Sequence, residues 1–542
     1  MVTTPIFYVN GSPHIGHLYS ALVADALARW HRMLGASTLF VTGTDEHGLK
    51  IQEAAKGKGK TPAQFCDEVS EEFRSLMVQA DISNDQFIRT TEERHKKAVH
   101  ALWKLLEDRG YIYKGKYEGW YCVSDEAFLT PVQVADGTAT IKPSDTAGPW
   151  QLLTTWRIEQ PGVDKQGNPC KVSLESGHVV EWVVEENYKF KLSAFQKPLL
   201  RWLENTDQGG SVIPRVRANE LFGLLREREL QDLSISRIGS RIKWGIPVPS
   251  DDGHTIYVWL DALTNYLTAA GFPWDGEASA AMSVPPSSAW PADYHIIGKD
   301  IIRFHTIYWI AFLMAAELPL PKKIVAHAHW TVNRHKMSKS LGNVVTPNEI
   351  IGKYGLDPVR YFLLRDGGMV DDGDFSHETL VSKLNNDLAD TLGNLFARLT
   401  APSLNPAGLV PACGDLTADD QAFVDRMQRL PDRVSEHYTN VEFGPGISAI
   451  FEILYDANKY LQDNEPWKLR KTDPRRCETV LYVALEAARL SALLLQPIMP
   501  RSAAKMLDML GVAADERSAQ ALTYGRQPGA KLVKEILFTK VK

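Results

Sequence analysis

Two short strings carry residues able to handle a polyanion. Pro13-His14-Ile15-Gly16-His17 sets two imidazoles and a glycine where a strand gives way to a helix. Lys336-Met337-Ser338-Lys339-Ser340, far downstream, sets two lysines and two hydroxyls on a loop. At a helix start the backbone N–H groups and the helix dipole favour an anion. Gly16 lets chain and ligand approach closely, and His14 and His17 can donate to phosphate oxygens. Two lysines beside two hydroxyls make a clamp for a charged polyphosphate. Taken singly, each string has an ordinary explanation: helix-start imidazoles are most often caps, and a lysine–serine loop is most often solvated surface. Occurring together, in order, on opposite halves of one α/β pattern, they are poorly explained by coincidence.

The elements that must position these strings can be read from periodicity. Residues 2–9 are rich in β-branched and aromatic types and predict a strand. Leu18, Leu22, Leu27, Trp30 and Leu34 recur at helical spacing over 17–34. Residues 37–42 predict a second strand, followed by Gly43-Thr44-Asp45-Glu46-His47-Gly48. Strand, turn, helix, strand is the opening of a parallel α/β sheet. Helices are predicted over 61–80 and 92–109. Between about 115 and 203 aromatics and β-formers alternate with Gly, Pro and Asp turns, a β-rich insertion. Strands return at 255–260, 295–298 and 324–327, each followed by a helical segment. From 379 onward helical patterns dominate, and the last dozen residues are expected to form a packed tail.

The 542 residues are too many for one ordinary core, and roughly three to four domains are expected. With 44% hydrophobic and 23% charged residues the composition is that of a globular soluble protein. No run of about 18 apolar residues occurs, so no membrane span is expected; residues 308–316 read as buried helix. The net charge of −6 announces no nucleic-acid partner, although a local basic track can exist under a negative total. Cys66, Cys122, Cys170, Cys413 and Cys477 are widely spread with no C-x-x-C, which argues for a reducing compartment and against a Cys-based zinc site. No targeting segment is read ahead of the first strand, so the protein is either made without one or processed.

The two strings match the "HIGH" and "KMSKS" signatures, and the chain resembles a class I aminoacyl-tRNA synthetase. Pro5-Ile6-Phe7-Tyr8-Val9-Asn10-Gly11, Gly43 to Gly48, Tyr257-Val258-Trp259-Leu260-Asp261-Ala262-Leu263, His295-Ile296-Ile297-Gly298-Lys299-Asp300-Ile301, Glu185-Glu186-Asn187-Tyr188 and Asn464-Glu465-Pro466-Trp467-Lys468 narrow it to the methionyl-tRNA synthetase family over essentially the whole chain. Glu118-Gly119-Trp120-Tyr121-Cys122-Val123-Ser124-Asp125-Glu126 and Ser173-Leu174-Glu175-Ser176-Gly177-His178 look most similar to the mitochondrial form. The mitochondrial matrix is therefore the expected location, with the cytoplasm as alternative. The resemblance implies a Rossmann-type parallel-sheet catalytic domain (1–114 and 204–325) split by a β-rich connective insertion (115–203). The KMSKS loop and linking region (326–378) and an all-α anticodon-binding domain (379–542) complete the chain.

The same resemblance implies ATP, Mg²⁺, L-methionine and tRNA(Met) as cofactors and partners. The zinc knuckle of paired cysteines that many members carry has no counterpart in Cys122 and Cys170, so no zinc is expected. No membrane partner is expected, and a monomer is the default. The resemblance places His14, Gly16, His17, Gly298, Lys299, Trp330, Lys336, Ser338 and Lys339 around ATP. Asp45 is the expected anion for the methionine ammonium. Ile6, Tyr8, Trp259, Ala262, Leu263, Tyr266, Ile301 and His305 match the side-chain pocket, where sulfur can meet aromatic rings and Tyr8 and His305 can offer a weak hydrogen bond to it. Trp259, Leu263 and Ile301 also suit ordinary core packing. Trp467 matches the family's anticodon-stacking tryptophan, though a helix-end core role fits it too. Of the family's Asn-and-Arg pair, Asn386 is a possible counterpart, but Asp390 and Thr391 stand where the arginine is expected. The rivals are a sibling synthetase for leucine, valine, isoleucine or cysteine, a small-molecule ligase acting without tRNA, and a non-catalytic tRNA-binding relative. The short insertion, the missing Cys/His cluster, the long helical region and the intact phosphate-contact residues speak against them in turn.

Overall fold

A computed structural model describes residues 1–122, 127–129, 134–136, 171–173, 179–204, 211–240, 242–274, 289–337 and 342–541. At its centre lie six strands: β1 (Val2–Tyr8), β2 (Phe40–Asp45), β3 (Gln86–Arg89), β4 (Val212–Ile213), β5 (Tyr294–Gly298) and β6 (Lys323–His327). They run in the order β3-β2-β1-β5-β6-β4, every neighbouring pair parallel. All residues of β2 and β5 are buried, as expected for strands covered by helices on both faces. Chain order reverses between β1 and β5. In open parallel sheets ligands bind at such a switch point, beyond the carboxyl ends of the strands. Tyr8, Asp45, Gly298 and His327 are the last residues of the four strands around it.

Helix α1 (Ile15–Met33) follows β1 and is buried from Ile15 to Trp30 along most of its surface. Helices at Pro62–Gln79 and Glu93–Asp108 lie where periodicity places them. The second strand starts later than predicted and runs on through Gly43-Thr44-Asp45, so Asp45 ends a strand and is not part of a turn. Gly43 is required there: a Cβ would stand 2.1 Å from the Ile88 carbonyl oxygen on β3.

The stretch expected as a strand at 255–260 is a correction. A strand ends at Ile256 and belongs to a small antiparallel sheet with Ser236–Ile238 and Pro247–Val248, while Val258–Leu263 is helical. Short apolar runs do not distinguish the two by periodicity. In the insertion, Ile112–Cys122 and Val179–Phe190 form a long antiparallel pair, with Trp120 opposite Trp182. The strings at 118–126 and 173–178 lie partly outside the described residues, at 123–126 and 174–178.

The C-terminal region packs the helices Ala418–Thr439, Phe443–Asn464, Pro474–Leu495 and Pro500–Met509. The tail returns to it: Val541 exchanges two hydrogen bonds with the Asn385 side chain, at 2.8 and 2.9 Å. A fully buried ion pair welds this region to α1. Arg360 Nη2 meets Asp25 Oδ2 at 2.6 Å, and the same guanidinium donates to the carbonyls of Ala80, Pro497 and Ile498. Burial alone would raise the Asp25 carboxyl, but Arg360, Arg29 and Ser83 hold it below its ordinary range. Its contribution to stability is therefore present at neutral pH and lost as pH falls through that range.

Candidate active site

The start of α1 shows how both histidines are held. His14 caps the helix: its Nδ1 accepts from the Gly16 N–H at 3.1 Å. His17 Nδ1 in turn accepts from the His14 N–H at 3.1 Å, a reciprocal capping box. An imidazole whose Nδ1 accepts carries its proton on Nε2. Burial, then the neighbouring His14, push His17 well below the usual imidazole range, against the pull of Asp300. Capping and phosphate binding are therefore one arrangement, because the cap presets two neutral Nε2–H donors. A Cβ on Gly16 would stand 2.9 Å from His14 Cε1, so only glycine leaves the cap undisturbed. The backbone N–H groups expected to face an anion are already engaged: Gly16 by His14, Ile15 by the Val345 carbonyl at 3.1 Å and His17 by the His14 carbonyl at 3.0 Å.

These histidines line a cavity of ≈ 440 Å³ at the switch point, and Asp45 from β2, Ile6 and Tyr8 from β1 line it too. Trp259, Ala262 and Leu263 enter from Val258–Leu263, Tyr266 from Asn265–Ala269, and Ile301 and His305 from the segment after β5. Trp259 stacks flat on Phe304, centroids 3.6 Å apart and 5° from parallel. Sequence reasoning missed Phe304 behind Trp259 and, in the cavity itself, Lys50, Asn265, Asp300 and His327.

The sulfur-donor role foreseen for His305 does not fit this geometry. Its Nδ1 donates to the Ile301 carbonyl at 3.0 Å and its Nε2 accepts the Tyr266 hydroxyl at 2.7 Å. Burial lowers its pKa to about 4, so the ring is neutral and has no N–H left to offer. It orients Tyr266 and fills space.

On the nucleotide side, Gly298 lines the cavity, and a Cβ there would crowd Asp300 Oδ1 at 2.7 Å. Trp330 shows an edge to the cavity but is 2% exposed and packs on Phe362 and Tyr19, which makes it a floor. Lys299 does not line the cavity: its Nζ is 2.5 Å from Asp372 Oδ1, and Asp372 also accepts the His329 N–H at 2.8 Å. Lys336 lies in a short strand opposite Thr331, and Met337 lines the same cavity as His14 and His17. Ser338 and Lys339 lie outside the described residues.

Trp467 opens the helix Pro466–Thr472, which follows Glu465 at φ 44. It is 40% exposed, too open for a core tryptophan. The Arg398 guanidinium lies 5.7 Å from its ring centroid. Asn386 is exposed and donates to Ser382 Oγ at 3.3 Å. Exposed Asn394 stands four residues before Arg398.

Comparison with known proteins gives concordant matches. Residues 1–400 match the model of class I tRNA synthetases (M), and 410–542 match the anticodon binding domain of methionyl tRNA ligase. The chain is 48% identical to the probable mitochondrial methionine–tRNA ligase of Dictyostelium discoideum, over 99% of this chain and 91% of that one. It is 47% identical to the mitochondrial methionine–tRNA ligase of Homo sapiens, over 96% of this chain and 85% of that one. Its structure superimposes with a TM-score of 0.87 on Mycobacterium tuberculosis methionyl-tRNA synthetase in complex with methionyl-adenylate, at 40% identity, covering 98% of this chain and 97% of that one.

Proposed function

The chain belongs to the class I methionyl-tRNA synthetases, and from that membership we propose how its residues divide the work. It is an ATP-dependent methionine–tRNA ligase: it activates L-methionine as methionyl-adenylate, releasing pyrophosphate, then transfers the methionyl group to the 3′ end of tRNA(Met). Neither step needs a covalent enzyme intermediate, so catalysis is positioning and stabilisation of charge developing on the phosphates.

The observation that carries the assignment is the paired cap of His14 and His17, two preset neutral donors sharing one cavity with Asp45 and the Trp259 wall. Asp45 takes the substrate ammonium. Ile6, Tyr8, Trp259, Ala262, Leu263, Tyr266 and Ile301 surround the thioether, with His305 fixing Tyr266. The Nε2–H groups of His14 and His17, together with Lys339 and Lys336, meet the polyphosphate, and Ser338 adds a hydroxyl. Gly298 lies along the adenosine. Lys299 can join only by leaving Asp372.

Mg²⁺ would neutralise the polyphosphate. Among the described residues no three His, Cys, Asp or Glu gather as a metal site; the ion is proposed to arrive on ATP, and the proposal that no zinc is used rests on the lack of paired cysteines in the sequence. The proposed domain division is 1–114 and 204–325 for catalysis, 115–203 for the insertion, 326–378 for the loop and link, and 379–542 for the anticodon. A monomer in the mitochondrial matrix is the proposed state, in line with the mitochondrial relatives.

Trp467→Ala tests the division of labour. A base stacked on an aromatic ring is worth ~1–3 kcal/mol, so kcat/KM for tRNA should fall roughly 5- to 150-fold while methionine-dependent pyrophosphate exchange is kept. Exchange, aminoacylation and a melting curve on one preparation decide it. Equal loss in both assays with a lowered Tm would make Trp467 structural.

A further inference from the structure

Asp45, Glu46 and His47 send their side chains in three directions. Asp45 lines the cavity. Glu46 is buried and takes Arg89 on both oxygens, at 2.7 and 3.0 Å. His47 Nδ1 donates to Asp261 Oδ2 at 2.7 Å. The other oxygen of Asp261 accepts His95 Nε2–H at 2.8 Å, and His95 Nδ1 is hydrogen-bonded with the Thr268 hydroxyl at 2.9 Å. His47, His95 and Asp261 are buried, and none of them lines the cavity.

The Asp261 carboxylate thus joins three pieces of chain, and His95 carries the connection to a fourth. Asp261 sits in Val258–Leu263 between the cavity residues Trp259 and Ala262, and Thr268 belongs to Asn265–Ala269, which carries Tyr266. His95 belongs to Glu93–Asp108, and His47 follows Asp45 by two residues. Helices of six and five residues, with no side-chain cap at either start, are too short to hold themselves and take their position from tertiary bonds. Burial alone would raise the Asp261 carboxyl, but His47 and His95 hold it down to about 2.

We propose that Asp261, through its hydrogen bonds from His47 and His95, is a positioning residue that sets the gap between Asp45 and the wall of Trp259, Ala262 and Leu263, and with it the discrimination of methionine from its one-carbon-shorter thiol homologue. The proposal rests on the reading of this cavity as the methionine site. One methylene in an apolar pocket is worth only ~10–200-fold in kcat/KM, so a wall that drifts gives up much of the available selectivity. The Asp261 carboxylate touches no substrate and acts only through the elements it joins.

The test is pyrophosphate exchange with methionine and with homocysteine, with KM for ATP and melting curves, on Asp261→Asn, His47→Ala, His47→Asn and Asp45→Asn. Asp261→Asn and His47→Ala should raise KM for methionine about tenfold and narrow the methionine-to-homocysteine kcat/KM ratio by a similar factor. KM for ATP should stay within about twofold, since the nucleotide contacts lie elsewhere. His47→Asn keeps an N–H near the place of Nδ1 and should recover most of the ratio, which a mere loss of core packing would not. If Asp261→Asn does not fold, the His47 pair decides alone. A ratio left unchanged by His47→Ala, or methionine and ATP constants lost in parallel with no recovery in His47→Asn, overturns the proposal. If instead Asp45→Asn leaves KM for methionine untouched, the cavity assignment itself fails, and the positioning role with it.

Discussion

His17→Asn is expected to slow methionyl-adenylate formation about 10²–10³-fold with a nearly unchanged melting temperature, the loss typical for one transition-state donor. The expectation follows from the two ends of one imidazole doing different jobs. His17 Nδ1 accepts the His14 N–H, and an asparagine amide oxygen can stand in for it. Nothing in asparagine reaches the place of Nε2–H. His17→Ala is the companion case, since it removes the cap acceptor and the Nε2–H together. It should lose the same rate and, in addition, about 1 kcal/mol of stability, as for other lost N-terminal caps. Exchange kcat and Tm measured on both variants separate the two roles. Near-normal activity in His17→Asn, or a rate loss in it that tracks unfolding, would leave His17 as a cap alone.

Lys339→Ala should slow adenylate formation by about three orders of magnitude while KM for methionine stays nearly constant. A cation that acts on charge developing in the transition state shows up in kcat, whereas one that only holds substrate shows up in KM. On either side of Lys339, Met337 lines the histidine cavity and the Val345 carbonyl accepts the Ile15 N–H at the start of α1. Both ends of the signature loop are thus anchored beside the imidazoles it is meant to work with. Single-turnover adenylate formation at saturating ATP measures the effect. Normal kcat with weakened methionine binding would contradict the role.

What the sequence made legible was local. His14 and His17 stand at a strand-to-helix turn because a β-rich run precedes them and a helical apolar stripe follows. Tyr8, Asp45 and Trp259 were found through family strings contiguous in the chain. The short strands β3 and β4 carry too few residues for alternation to register, and the run at 255–260 was apolar enough to suit strand or helix.

What was missed depends on long-range pairing. Lys299 looked like a cation for phosphate until Asp372, 73 residues away, was found against it. His305 looked like a donor to sulfur until Tyr266 and Ile301 took both its nitrogens. Trp330 lines the cavity with Gly298 as expected of its place, but its packing on Phe362 was not legible in the sequence. The partner of Trp467 proved to be Arg398, because folding brings two separate helices together. Spacing constrains neighbours within one element; it does not say which elements meet.

The central claim, that this cavity selects methionine and activates it with ATP, is tested most directly by amino-acid-dependent pyrophosphate exchange across all twenty standard amino acids, in the absence of tRNA. The assignment of Asp45, Trp259 and the paired histidines to one cavity predicts rapid exchange with methionine alone. Faster exchange with leucine or cysteine than with methionine, or exchange that appears only when tRNA is added, would contradict it.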